Sequence, residues 1–169
     1  VPALNLILTG RSELTSQKKT RIECLEEAGH AVFHLQADVC DTGAMAQGLA
    51  KARDRFGQID AVLHAAAIAT EHTVFDKPEE EFQNVLNPKV QVTLALEELL
   101  GNDPLKFVCY FSSSSAILGD FGSCDYAVGN RFQMAYARYR NALAAQGEVA
   151  GRAFVINWPL WKEGGMGFE

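Results

Sequence analysis

Long apolar runs are missing from this chain: none approaches the ~20 residues that a membrane-crossing helix requires, so no membrane partner is expected. Basic clusters are missing as well. Fifteen Lys and Arg stand against 21 Asp and Glu, for a net charge of −6, and no Lys/Arg stripe forms; this argues against a nucleic-acid partner. Cysteines are few. Cys24, Cys40, Cys109 and Cys124 lack the spacing of a metal site and read as reduced thiols of a cytoplasmic protein, so no metal is expected. The chain opens on a strand-like segment rather than a basic and apolar leader, so no signal peptide is expected. Repeats, low-complexity tracts and linkers are absent too. What is left is an ordinary globular composition, 48% hydrophobic and 21% charged over 169 residues, enough for one domain with a real core.

Strand and helix signals alternate along nearly the whole chain. Leu4 to Thr9 is a short apolar run of the kind buried parallel strands show, and it ends in the sharp turn Gly10-Arg11-Ser12. Glu13 to Ala28 reads as a helix with Ile22 and Leu25 inward, stopped by Gly29. Ala31 to Leu35 is a second strand, ending in Ala37-Asp38-Val39. Asp41 caps a helix that runs through Phe56 with Met45, Leu49 and Ala52 on one face, and Gly57 ends it. Ile59 to Ala66 is a third strand, Pro78 to Val85 and Pro88 to Leu100 are helices, and Leu105 to Phe111 is the fourth strand. A serine run and a glycine-punctuated loop lead into a long helix from Asp125 to Gln146, and Ala153 to Asn157 is the fifth strand. The pattern predicts an α/β architecture, a parallel sheet with helices on both faces. One piece is lacking. A dinucleotide-binding fold normally opens on a strand, a Gly-x-Gly-x-x-Gly turn and a helix, and no such run occurs. The chain starts where the second strand would be and reads as a fragment.

Within that frame the stretch from Phe111 to Asn130 carries the chemistry. Ser113 stands at a strand's carboxyl end, Tyr126 thirteen residues on opens a helix, and Asn130 lies one turn further on the same face. In an open α/β sheet these groups meet at the crevice where ligands bind. Hydride transfer to a ketone places negative charge on the carbonyl oxygen, which needs an acid and a hydrogen-bond donor. A tyrosine suits the acid's role when a nearby cation favours its phenolate, and a serine hydroxyl suits the donor's. Tyr126 and Ser113 fill these places, with Lys89, on the helix beginning at Pro88, as the cation.

The chain resembles the ketoreductase domains of modular polyketide synthases, a branch of the short-chain dehydrogenase/reductases. The resemblance rests on LTGRS at 8–12, ADVCD at 37–41, DAVLHAAAI at 60–68, PKV at 88–90, FSSSSAILGDFGSCDYAVGNRF at 111–132 and INWPLW at 156–161. It implies a Rossmann-like doubly wound fold, NADPH as cofactor, and reduction of a β-ketoacyl thioester on an acyl carrier protein to the β-hydroxy thioester. The whole chain, 1–169, would then be the catalytic subdomain, incomplete at both ends and by itself a poor binder of NADPH. Carried over by residue, Tyr126 is the proton donor, Ser113 the oxyanion partner, and Lys89 and Asn130 complete a tetrad. Most of the wider superfamily has lysine four residues after the tyrosine; Asn130 stands there, with Lys89 upstream, which is the polyketide ketoreductase arrangement.

By the same resemblance, Gly10, Arg11 and Ser12 meet the adenosine end of the cofactor, where a guanidinium favours the 2′-phosphate of NADPH. Asp38 and Val39 match the adenine contact, and Ala65, Ala66 and Ala67 the close-approach turn, where the family usually has glycine at 67. Pro159 and Leu160 match the contact to the nicotinamide carboxamide. Neither stereochemical fingerprint of the family is present: Ala69-Thr70-Glu71 replaces Leu-Asp-Asp, and Leu118 stands where a tryptophan would. Other residues have plainer readings. His64 reads as a satisfied core histidine, Trp158 and Trp161 as packing anchors, and Glu79-Glu80-Glu81 as a solvated helix start. Tyr136, Arg138, Tyr139 and Arg140 read as a basic-aromatic surface suited to a carrier protein's acidic helix. Two other functions stay open, a non-catalytic nucleotide-binding scaffold on the same fold and a stand-alone short-chain alcohol dehydrogenase.

Overall fold

The computed structural model describes residues 2–119 and 122–161. It divides into two compact units, residues 1–58 and 59–169.

In the first unit, β1 (Asn5–Gly10) pairs in parallel with β2 (Ala31–Gln36), with Asn5 opposite Ala31 and Gly10 opposite Gln36. Between them lies α1 (Ser16–Glu27), which starts three residues later than the sequence suggests. Thr15 is the reason: its side chain accepts the Lys18 N–H and caps the helix, leaving residues 13 and 14 outside it. Ile22 and Leu25 are the half-buried residues of an otherwise exposed helix. The following α2 (Thr42–Phe56) matches expectation at both ends. Asp41 accepts the Ala44 N–H at 2.9 Å, Gly57 takes a positive φ of 87°, and Met45, Leu49 and Ala52 are buried.

The second unit holds a three-stranded parallel sheet in the order β3-β4-β5: β3 (Ala61–His64), β4 (Phe107–Ser113) and β5 (Arg152–Trp158). Helices α3 (Glu79–Leu86), α4 (Gln91–Leu100), α5 (Ser115–Leu118) and α6 (Cys124–Gln146) accompany it. The parallel α/β class is as expected. Three local differences matter. β3 is shorter than the apolar run Ile59–Ala66, because the Ile59 N–H goes to the Asp103 carboxylate and pairing with β4 ends at His64–Tyr110. Ala65–Ala67 therefore form a loop beyond the strand. Helix α4 starts at Gln91 rather than Pro88: Pro88 has no N–H, and those of Lys89 and Val90 both go to the Leu86 carbonyl, making a turn. The serine run winds into the single turn α5, where a loop was expected.

Arg140 corrects another expectation. It is 1% exposed, donating to Glu97 Oε2 at 2.8 Å and to the carbonyls of Gly151 and Ala150 at 2.7 and 2.6 Å. A guanidinium in the core has to satisfy its fork of donors, and here it clamps α6 to α4 and to the turn before β5. The expected basic-aromatic surface is therefore no continuous patch: its Arg140 is internal, and Tyr136 packs between Phe132 and Tyr139.

Candidate active site

Ser113 is the last residue of β4, and Tyr126 lies in the first turn of α6 with Asn130 one turn later. Lys89 comes from the turn between α3 and α4. Its side chain is buried, with the residue 1% exposed, and Nζ donates to the Phe111 carbonyl of β4 at 2.7 Å. Nζ also lies 6.0 Å from the centroid of the Tyr126 ring, at the outer range of a cation–π contact. Burial lowers the Lys89 pKa to about 8, since removing an ammonium from water disfavours its charge. The ammonium thus sits beside the phenol while still mostly protonated at neutral pH.

Asn130 turns its amide back on the helix, Nδ2 donating to the Tyr126 carbonyl at 2.9 Å. Its Oδ1 is buried without a hydrogen-bond partner, an acceptor left over inside the site. Ser112 donates to the Asn130 carbonyl at 3.4 Å, so β4 and α6 are tied together at this level. Ser113 Oγ accepts the Ser115 N–H at 3.2 Å, which leaves the hydroxyl proton available for donation. The helical turn after the serine run sets that hydroxyl apart from its neighbours: Ser112 is spent on Asn130, and Ser115 is buried.

His64 supports the lysine. Its Nε2 lies 2.8 Å from the Pro88 carbonyl, and a carbonyl only accepts, so Nε2 carries the proton. Burial, then the Lys89 charge, lower its pKa to about 4 despite that hydrogen bond. The core reading of His64 holds, with the addition that it pins the turn that carries Lys89.

The sequence reading missed a second buried cluster. Asp125, 0% exposed, accepts the Tyr126 N–H through Oδ1 at 2.8 Å and Lys77 Nζ through Oδ2 at 2.6 Å. Lys77 also donates to Thr70 Oγ1 and, at 3.2 Å, to Glu81 Oε1. Glu81 gathers the N–H groups of Glu71 and His72 at 2.8 and 3.0 Å, and these hold its carboxyl well below the usual range. Burial opposes the Lys77 charge, but hydrogen bonds and attraction from Asp125 and Glu81 outweigh it, so its pKa is raised above the ordinary lysine value. Glu79 and Glu80 remain solvated as expected, whereas Glu81 is structural. The Lys77/Glu81 spacing of four was the one available signal.

The expected cofactor residues of the first unit gather at the carboxyl ends of β1 and β2. Gly10 ends β1 and its carbonyl accepts the Ala37 N–H at 3.1 Å. Arg11 lies 4.0 Å from Asp38, both side chains well exposed, so most of the guanidinium's donors are open to a phosphate. Ser12 Oγ accepts from Lys18 Nζ at 2.7 Å, and Asp38 Oδ1 accepts the Cys40 N–H beyond Val39. In the second unit Ala65–Ala67 follow β3 and none of the three has a positive φ, so alanine at 67 meets no backbone strain. Pro159 and Leu160 follow β5, whose last residue Trp158 packs edge-on against Trp161 at 5.1 Å.

A family model described as the KR domain matches residues 2–163. Polyketide synthase PksM of Bacillus subtilis is 53% identical over 164 residues, 97% of this chain and 4% of PksM. The chain thus spans about 4% of the length of that curated relative. The crystal structure of a ketoreductase domain from the bacillaene assembly line matches with a TM-score of 0.91 at 40% identity, over 96% of this chain and 39% of that one. An N-terminal ketoreductase from the macrolactin assembly line matches with a TM-score of 0.86 at 31% identity, over 94% and 32% of the two chains.

Proposed function

Because the chain belongs to the KR domain family of polyketide synthases, we propose that it reduces the β-keto group of an acyl thioester, carried on an acyl carrier protein, to the β-hydroxy group, using NADPH. The observation that carries this reading is the buried Lys89 ammonium 6.0 Å from the Tyr126 ring centroid. A buried cation beside a phenol stabilises the phenolate that remains when the phenol gives up its proton.

NADPH, when bound, would supply a hydride to the β-carbon, and the chain's own residues would receive the negative charge that then gathers on the carbonyl oxygen. Tyr126 donates its phenolic proton to that oxygen, and the Ser113 hydroxyl donates a hydrogen bond to the same atom. Lys89 holds the phenolate until a proton returns from solvent. Asn130 holds the first turn of α6 through the Tyr126 carbonyl, and its buried Oδ1 is left as a free acceptor. The exposed Arg11 suits the 2′-phosphate that distinguishes NADPH from NADH, and Asp38, Val39, Ala65–Ala67, Pro159 and Leu160 suit the remaining cofactor contacts by family resemblance. Other polyketide synthase domains are its working partners.

The test is a β-ketoacyl thioester assay run with NADPH and with NADH, on the full-length protein as parent and on its Tyr126→Phe variant. The reading expects β-hydroxyacyl product, faster with NADPH, and a variant that binds NADPH but turns over at least about a hundredfold more slowly. Parent-level turnover in Tyr126→Phe removes the tyrosine mechanism. Absence of reduction by the parent favours the scaffold alternative, and a preference for free ketones over thioesters favours the stand-alone dehydrogenase.

A further inference from the structure

Tyr126 can protonate a substrate only if its backbone is held still at the first turn of α6, where N–H groups have no intrahelical partner. Asp125 does that holding: Oδ1 takes the Tyr126 N–H at 2.8 Å, while Oδ2 takes Lys77 Nζ at 2.6 Å. Both charges are out of water, with side-chain exposures of 0% and 2%. Lys77 in turn is fastened to Glu81 of α3 and to Thr70, and Glu81 fastens the backbone at Glu71 and His72. The segment between those anchors also runs close to the approach to α6: a Cβ on Gly122 would stand 3.4 Å from the Thr73 side chain. Residues 70–81 are thereby stapled to the residue that precedes the proton donor.

We propose that Lys77 and Asp125 form a positioning pair for the reductase reaction, fixing Tyr126 through the Asp125 carboxylate and locking the 70–77 segment to the start of α6. A buried ion pair is a poor device for stability alone, because apolar residues of similar volume commonly do as well or better. It is a good device for geometry, because its hydrogen bonds are directional and fail when either partner shifts. Small misplacement of a catalytic group lowers turnover steeply. Neither residue touches the reacting atoms in this account; both act through Tyr126. The inference rests on the reductase reading, and its test separates the two.

The test uses the full-length protein carrying Lys77→Met, Lys77→Arg, or the double change Lys77→Met with Asp125→Leu. Four quantities are measured: kcat and KM for the thioester, the melting temperature, and amide exchange at Tyr126. Lys77→Met is expected to lower kcat about ten- to a hundredfold with KM changed by less than about threefold, and Lys77→Arg to recover most of the loss. The double variant is expected to regain the parent melting temperature while kcat stays low. It also keeps the test alive if Lys77→Met alone does not fold. Recovery of kcat together with melting temperature in the double variant overturns the proposal and leaves the pair structural. So does parent-level kcat in Lys77→Met. Amide exchange needs no turnover: Tyr126 is expected to exchange about tenfold faster in the double variant while the C-terminal half of α6 is unchanged. If the parent reduces no thioester, the reductase reading falls, and unchanged exchange at Tyr126 separately overturns the positioning role.

Discussion

Gly129→Ala puts the packing of Lys89 under a graded load. Gly129 lies inside α6, where glycine is less favourable than alanine by about 1 kcal/mol. On propensity alone the substitution stabilises. A Cβ there, however, would stand 3.0 Å from Lys89 Cβ and 3.2 Å from Cγ. The lysine cannot yield easily. It is 1% exposed, Nζ is held by the Phe111 carbonyl, its N–H goes to Leu86, and its carbonyl accepts Thr93 Oγ1 at 2.6 Å. Crowding of this kind costs about 1–3 kcal/mol, so the net expectation is a loss of roughly 0–2 kcal/mol. Turnover should suffer more than stability, because any shift of the Lys89 stem moves the ammonium relative to Tyr126. We expect kcat to fall about tenfold with little change in the KM for NADPH. Urea denaturation and steady-state NADPH oxidation on the same preparations give both numbers. A variant about 1 kcal/mol more stable than the parent, with kcat unchanged, would refute the close approach of α6 to Lys89.

Lys89→Met gives a pH signature. With the folded pKa near 8 and the ordinary value 10.5, the unfolded chain holds the extra proton between those values, so stability contributed at Lys89 rises with pH across that window. The rise amounts to about 3 kcal/mol at most, and Lys89→Met should lack it in denaturation series at pH 8 and 10.5. Reduction by the parent should also decline above about pH 8 as the ammonium is lost; a rate flat to pH 10 would remove Lys89 from the mechanism. His64 predicts an acid slope. Its folded pKa of about 4 against an ordinary 6.5 means the unfolded chain binds the proton first, so stability falls as pH drops from 6.5 to 4, by up to about 3 kcal/mol. His64→Gln, which can still donate to the Pro88 carbonyl, should flatten that slope, and an unaltered slope would assign it to other groups.

Local chemistry was legible in the sequence; distant pairing was not. The second helix was readable at both ends because Asp41 and Gly57 act on their own neighbours, through a side-chain cap and a positive φ. The same holds for Ser113, Tyr126 and Asn130, whose spacing on a strand end and one helix face places them without reference to the rest of the chain. The pattern places Lys89 on a helix, because the stretch after Pro88 looks helical until the two N–H groups beyond it are seen to share the Leu86 carbonyl. Lys77 and Asp125 lie 48 residues apart, and nothing local distinguishes either from a solvated charge. Arg140 looked like a surface residue for the same reason. Its partners Glu97, Ala150 and Gly151 are gathered only by folding. Buried charge is where sequence patterning says least, since type alone predicts exposure.

Hydride transfer from the cofactor and protonation by Tyr126 are tested together by following a labelled hydrogen through a single turnover. NADPH carrying deuterium at both positions of nicotinamide C4 is mixed with the full-length protein and a β-ketoacyl thioester, for the parent and for Tyr126→Phe. The expected result is a β-hydroxyacyl thioester from the parent with one deuterium on the β-carbon, and almost none from Tyr126→Phe although that variant still binds NADPH. Unlabelled product from the parent would contradict hydride transfer from the cofactor, and equal labelled product from both proteins would contradict Tyr126 as the proton donor.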